Sequence, residues 1–273
     1  MRFIPFLLVA VILVSCGGSG MNKIMKNPDP EYKLRMAEQF FVKKKYNRAQ
    51  MIYEDIMPHF RTDTKVFENI YYKYAYCAYY QLDYVNAENL FKTFIEIFPN
   101  SARSEEIDYM RAYSFYKQSP KPELDQTNTI KAMGMMQTFI NTHPNSTRIK
   151  EANEIIDICR GKLEIKEHKS AQLYYDIGQF RAAGVSFATL LDNYPESINA
   201  DQYKLMIIKA YFRYAELSVE EKKPERYEKV INEVHEFVDR FPDSKLRKEA
   251  EDFLKQSQTN IKNLSNEQTK TSA

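Results

Sequence analysis

Phe98-Pro99-Asn100-Ser101 is a helix stop followed by a helix start, and the chain carries the same phrase four times. The other copies are His143-Pro144-Asn145-Ser146, Tyr194-Pro195-Glu196-Ser197 and Phe241-Pro242-Asp243-Ser244. Proline ends a helix because it has no amide hydrogen to donate. A serine two residues on can accept from an unpaired backbone amide and open the next helix. Each copy lies between two amphipathic runs, and successive copies stand 45, 51 and 47 residues apart. Such regularity marks an internal repeat of helix pairs.

A second spacing runs inside the repeat. Ala37 and Ala49, Ala75 and Ala87, and Ala171 and Ala183 are each 12 residues apart, while Ala112 to Ala132 and Ala210 to Val230 are 20 apart. Small residues at these places let two antiparallel helices approach closely. The longer spacings coincide with Ser119-Pro120-Lys121-Pro122 and Glu221-Lys222-Lys223-Pro224, which read as extended turns. The pattern resembles the tetratricopeptide repeat, a helix pair of about 34 residues. The matching positions are Tyr74, Ala75, Ala78, Ala87, Phe91, Phe94 and Pro99 in the second unit. In the fourth they are Ser170, Ala171, Tyr174, Ala183, Phe187, Leu190 and Pro195; in the first, Pro58 falls three residues early. The resemblance implies an all-α, tetratricopeptide-like superhelix of about five helix pairs, because such pairs bury their apolar faces only by stacking. Repeats 1–3 are expected over 29–145, and a linking helix with repeats 4–5 over 146–256. Residues 257–273, rich in Ser, Thr, Asn, Gln and Lys, are expected to be a disordered tail.

Composition agrees with a helical class. Seven glycines and 11 prolines in 273 residues are too few for a turn-rich β fold. The formal charge is +2 with both signs interleaved, so there is no electrostatic footprint for nucleic acid. Lys43-Lys44-Lys45 reads as a solvated helix end, where cations are favoured.

The N-terminus reads as an address. Met1-Arg2 precedes an apolar run from Phe3 to Val14, too short to span a bilayer core of about 20 residues. It fits an export signal. Leu13-Val14-Ser15-Cys16 resembles the bacterial lipobox, which implies a signal peptide over 1–15 and lipidation of Cys16 with diacylglycerol and an N-acyl chain. Two or three acyl chains hold a domain on a bilayer durably. Residues 16–28 are expected to be a flexible lipidated tether opening with Gly17-Gly18-Ser19-Gly20. Gly17 is not the Asp of the inner-membrane retention signal, which by analogy implies the outer membrane; no acidic cluster follows Cys16, which favours the periplasmic face. Cys77 and Cys159 lie inside apolar helical runs and read as small packing residues.

No catalytic or metal site is legible. His59, His143, His168 and His235 are scattered, and Glu164 with His168 lacks further ligands at metal spacing. Phosphate loops, nucleophile elbows and zinc-protease motifs are missing. Beyond the lipid on Cys16, no cofactor is expected.

In a tetratricopeptide array the first helix of each pair lines the concave side. The groove positions here are Leu34, Glu38 and Phe41; Tyr72, Tyr76, Tyr79 and Tyr80; Tyr109, Tyr113 and Tyr116; and His168, Gln172 and Tyr175. Tyrosine supplies rigid contact area with a polar tip, as binding surfaces require. Two readings of this run stand: an aromatic groove for an extended peptide, or tyrosines packed within the superhelix or covered by the N-terminal segment.

A longer resemblance runs through the fourth unit. Ser170-Ala171, Tyr174-Tyr175, Phe180 and Asp192-Asn193-Tyr194-Pro195-Glu196-Ser197, followed by Leu205, Met206 and Ala210-Tyr211, are similar to the BamD family, lipoproteins of the outer-membrane β-barrel assembly machinery. The resemblance implies a non-enzymatic scaffold. Its C-terminal repeats would dock on a POTRA-containing barrel insertase, and its N-terminal repeats would receive unfolded outer-membrane protein clients. Lys209 and Arg213 are the cations it offers for docking. The alternative is another tetratricopeptide lipoprotein adaptor of the cell envelope, in division or envelope coordination. A third reading, an accessory or glycan-binding domain, finds only Gln172 and Tyr175 in its favour.

Overall fold

The computed structural model of the chain describes residues 18–271, and every regular element among them is helical. The helices are α1 (Gly18–Met25), α2 (Pro30–Val42), α3 (Tyr46–Ile56), α4 (Thr64–Tyr80), α5 (Tyr84–Ile97) and α6 (Ser104–Gln118). There follow α7 (Thr127–Thr142), α8 (Ile149–Asp176), α9 (Phe180–Asn193), α10 (Ala200–Glu216), α11 (Lys223–Arg240) and α12 (Arg247–Thr271). The chain divides into two compact units. One runs to Ile156 without 121–126; the other takes 121–126 and continues from Asp157. Helix α8 begins in the first and ends in the second. The borrowed turn is pinned to α8 by Lys166 Nζ, which donates to the Leu124 carbonyl at 2.7 Å, and by a Lys169–Glu123 ion pair.

The small residues of the repeat sit where helices meet. All ten, from Ala37 to Val230, are fully buried. The 12-residue spacing belongs to three-residue turns whose middle residue is left-handed: Lys44 (φ 55°), Leu82 (φ 64°) and Gly178 (φ 77°). In each, the next amide reaches back five residues, from Lys45 to Phe40, Asp83 to Ala78 and Gln179 to Tyr174, at 2.8–3.1 Å. This bond caps the helix C-terminus in the Schellman manner.

The serine of each repeated phrase does more than sequence reasoning assigned, and in a different place. Helices begin at Ser104, Ile149, Ala200 and Arg247, three residues after the serine, so it is not the N-cap itself. The phrase forms a turn of its own, with Ser101 N–H donating to the Phe98 carbonyl at 3.1 Å. A second turn is then needed to reorient the chain. The serine oxygen accepts from the amide two residues on, at 3.0–3.1 Å. Its hydroxyl donates to a carboxylate on the first helix of its own pair: Glu68, Glu105, Glu164 or Asp201, at 2.5–2.7 Å.

Two expectations about the ends are corrected. Residues 18–25 of the expected tether form a helix, because Met21, Ile24 and Met25 make an apolar face that packs on the core of the first helix pair; Ile24 is buried. Cys16 and the signal segment lie outside the described residues. The expected disordered tail continues α12 to Thr271. Phe253, Leu254, Ser257, Ile261 and Leu264 recur at helical spacing, and the apolar ones pack on the core of the second unit. Polar composition had masked this stripe. Helix α12 thereby caps an array whose last pair would otherwise expose an apolar face.

Candidate partner-binding surfaces

Helix α4 carries tyrosines on two faces, and its neighbours decide which remain accessible. Tyr76 is buried: its ring lies 5.3 Å from Phe91, and its hydroxyl donates to Glu106 Oε1 at 2.5 Å. Tyr109 is buried on α6 beneath Arg148, whose guanidinium carbon stands 4.6 Å from the ring centroid. Burial, then the Glu106 carboxylate for Tyr76 and the Glu151 carboxylate for Tyr109, push both phenols well above the usual tyrosine range. The Tyr109 hydroxyl nevertheless finds no acceptor in bonding geometry. These two positions back the surface. They are covered by side chains from both directions: Phe91 and Phe139 from the second helix of their own pair, and Glu106 and Arg148 from residues further along the chain.

The other predicted residues of the first unit keep a solvent face. Phe41, Tyr72, Tyr79, Tyr113 and Tyr116 are half-buried, and Tyr80 is exposed. They form one connected aromatic sheet: Tyr79 meets Tyr84 at 5.5 Å and Tyr113 at 6.4 Å, and Tyr113 meets Tyr116 at 5.6 Å. Lys117 lies over Tyr113 and Tyr84 at 5.8 and 6.0 Å. Tyr72 donates to Glu106 at 3.0 Å and lies under Arg103 at 4.2 Å. Burial followed by the Glu106 charge raises its phenol to about 12; burial followed by neighbouring Tyr113 raises Tyr79 to about 12. Glu38 is held by Lys73 and accepts from Tyr53 at 3.1 Å, and Leu34 packs on the core.

In the second unit, Lys209 pairs with Glu249 at 2.7 Å. Arg213 pairs with Glu216 at 2.5 Å and lies over the Phe180 ring. Both expected docking cations are thus already engaged within the chain. His168 stands between the Phe187 and Tyr203 rings, Gln172 donates to Asp176 at 2.7 Å, and Tyr175 packs on Phe180.

A cleft of about 600 Å³ among α9, α10 and α11 escaped sequence reasoning. Arg181, Lys222, Arg226 and Lys229 line it, against Glu225 and Glu228. Lys229 Nζ sits 3.8 Å over the Tyr211 ring and Arg226 4.0 Å over Tyr214. Gly184 on α9 lets the Tyr211 ring of the cleft wall come close: a Cβ there would stand 2.7 Å from Tyr211 Cε1. That glycine, in the middle of a helix where it costs stability, was the available signal.

Cys77 and Cys159 are free thiols, fully buried. Burial pushes the Cys77 thiol up to about 12 and raises that of Cys159. Among the described residues no cluster of three or more His, Cys, Asp or Glu could hold a metal, and no helix is long and apolar enough to cross a membrane.

Residues 31–223 match the protein family described as YfiO, outer membrane lipoprotein. Over 132 residues the chain is 38% identical to a protein of Aquifex aeolicus (strain VF5) provisionally named outer membrane protein assembly factor BamD. That match takes in 48% of this chain and 43% of the relative, so the chain spans less than half the relative's length. Among solved structures, a TPR repeats protein of Bacteroides fragilis NCTC 9343 is 14% identical, with a TM-score of 0.40, covering 85% of this chain and 99% of its own. The TPR2AB domain of yeast Sti1, solved in complex with pHSP90, is 10% identical, with a TM-score of 0.38, covering 89% and 100%. Both structures are too distant to carry an argument. The family match covers well over half of the chain, which belongs to the YfiO/BamD family of outer membrane lipoproteins.

Proposed function

We propose that the chain is a lipid-anchored scaffold on the periplasmic face of the outer membrane, serving the assembly of β-barrel proteins. Cys16 carries the anchor. The first unit receives client segments on the aromatic sheet of Phe41, Tyr72, Tyr79, Tyr113 and Tyr116, and the second docks on a POTRA-containing insertase. The observation that carries the reading is the half-exposed, connected tyrosine sheet in a chain similar to a named assembly factor. Amphipathic rings beside Lys117 suit extended, aromatic-rich segments. Docking falls more naturally to Arg181 and Lys229 of the cleft than to Lys209 and Arg213, whose charges are met internally, as that of Lys222 is by Glu225.

The test is crosslinking in cell envelopes followed by identification of partners. Tyr79→Ala with Tyr113→Ala should reduce client crosslinks while leaving the insertase. Arg181→Glu with Lys229→Glu should release the insertase. Recovery of a different stoichiometric partner, insensitive to both variants, would hand the function to another envelope adaptor role.

A further inference from the structure

We propose that one end of the first unit, where the α2–α3 and α4–α5 turns adjoin, rests on an anionic bilayer surface. Val42, Leu82 and Val85 would be the aliphatic contacts, and Lys43, Lys44, Lys45 and Lys117 the cations that hold the end there. In sequence the lysine run looked like a solvated helix end; the fold puts it beside an exposed apolar set.

Val42, Leu82 and Val85 are 78%, 69% and 61% exposed, and the four lysines are exposed as well. The two turns are held side by side. Tyr46, just after the first, stacks on Tyr80, just before the second, at 4.6 Å, and Gln81 donates to Gln50 at 2.5 Å. The end of α6 joins them through Gln118, which donates to the Tyr84 carbonyl at 3.3 Å, and through Lys117 over that ring. Asp83 is the acid of these turns, and its side chain is engaged by the amide of Asn86.

Leu82 is the decisive residue. Its φ of 64° places it in the left-handed region, where glycine or asparagine is favoured. The same position of the α8–α9 turn holds Gly178. A strained and exposed leucine contributes nothing to the core, and such outliers are retained where they serve contact. The chemistry selects the occupant. Protein interfaces deplete lysine and favour arginine and buried aromatic anchors. Aliphatic tips ringed by lysine, with Tyr80 at the margin, match interfacial binding to anionic lipid. Membership in an outer membrane lipoprotein family puts such a surface within reach. The proposal rests on the lipid anchor of the proposed function and shares Lys117 with the client sheet; the lysine run and Leu82 belong to it alone, so it can fail while client binding stands.

The chain contains no tryptophan, so Val85→Trp creates a single reporter. The lipidated full-length protein is reconstituted into phosphatidylcholine vesicles with or without phosphatidylglycerol, and quenching by brominated acyl chains is measured. Asn100→Trp, in the turn beyond the far end of α5 and about 20 Å away, is the reference. The expected result is a blue-shifted, quenched Val85→Trp signal in anionic vesicles and an unquenched Asn100→Trp signal. Lys43→Gln with Lys44→Asn and Lys45→Gln should weaken the contact on the order of a hundredfold. Leu82→Asn, which keeps the left-handed turn, should weaken it about tenfold. Equal quenching at both sites, or no response to the lysine replacements, overturns the proposal. A shift that appears without vesicles and grows with protein concentration also overturns it, assigning the surface to a second copy of the chain.

Discussion

Tyr76 and Glu106 tie the second helix pair to the third: the phenol donates to Glu106 Oε1 at 2.5 Å, and Tyr72 donates to the same oxygen at 3.0 Å. A hydrogen bond to a charged acceptor contributes about 1.5–3 kcal/mol, and here one carboxylate serves two tyrosines. Glu106→Gln should therefore lower stability by about 2 kcal/mol in urea unfolding. A double-mutant cycle with Tyr76→Phe should show strong coupling. Independent, additive effects would mean that the two groups do not act together.

Alkali should weaken the protein in a defined window. Tyr72, Tyr79 and Tyr194 titrate near 12 in the folded chain, against an ordinary value near 10. The folded state holds these protons more tightly than the unfolded state. Their stabilisation is thus complete below pH 10 and drains away as pH rises from 10 to 12. Ultraviolet titration should show late-ionising phenols, and denaturant midpoints should fall across the same interval. Phenols that all ionise together near pH 10 would contradict the burial described.

Gly184→Ala should destabilise the second unit by about 1–3 kcal/mol, as overpacking does, because the new methyl meets the Tyr211 ring at 2.7 Å. Adding Tyr211→Leu should recover part of the loss. Calorimetry of the single and double variants checks this, and an unchanged melting temperature in the single variant would show that the ring moves aside freely.

Ending the chain after Gln256 should cost about 2–4 kcal/mol, since it removes the packing of Ile261 and Leu264. Amide exchange should quicken in α10 and α11 and stay unchanged in α2 to α5. Unchanged exchange throughout would return the tail to the disordered state that its composition implies.

Pairing was legible because it rests on local chemistry. Ala75 and Ala87, a proline and a serine are enough to set two helices against each other. Accessibility was not. The spacing that put Tyr76 and Tyr79 together on the open side shows neither Phe91 of α5 nor Glu106 of α6, and Tyr76 is buried between them. The cationic cleft was hidden for the same reason, because Arg181, Tyr211 and Lys229 come from three helices. At Lys209 the sequence showed a cation, while its partner Glu249 lay on a helix that had been assigned only in part to the array.

The serine–carboxylate bond of the second to fifth pairs has an evolutionary consequence. It joins the exit of the second helix to the first helix of the same pair, at the end away from the connecting turn. A pair is therefore a loop closed twice, once by covalent chain and once by Ser101 on Glu68 or its counterparts. Extra residues in the connecting turn leave the other closure untouched, so alignment with the following pair is preserved. The connecting turns of the third and fifth pairs, 119–126 and 217–222 against three residues in the other pairs, show that tolerance. Those turns are where new recognition elements can be grafted without re-engineering the stack.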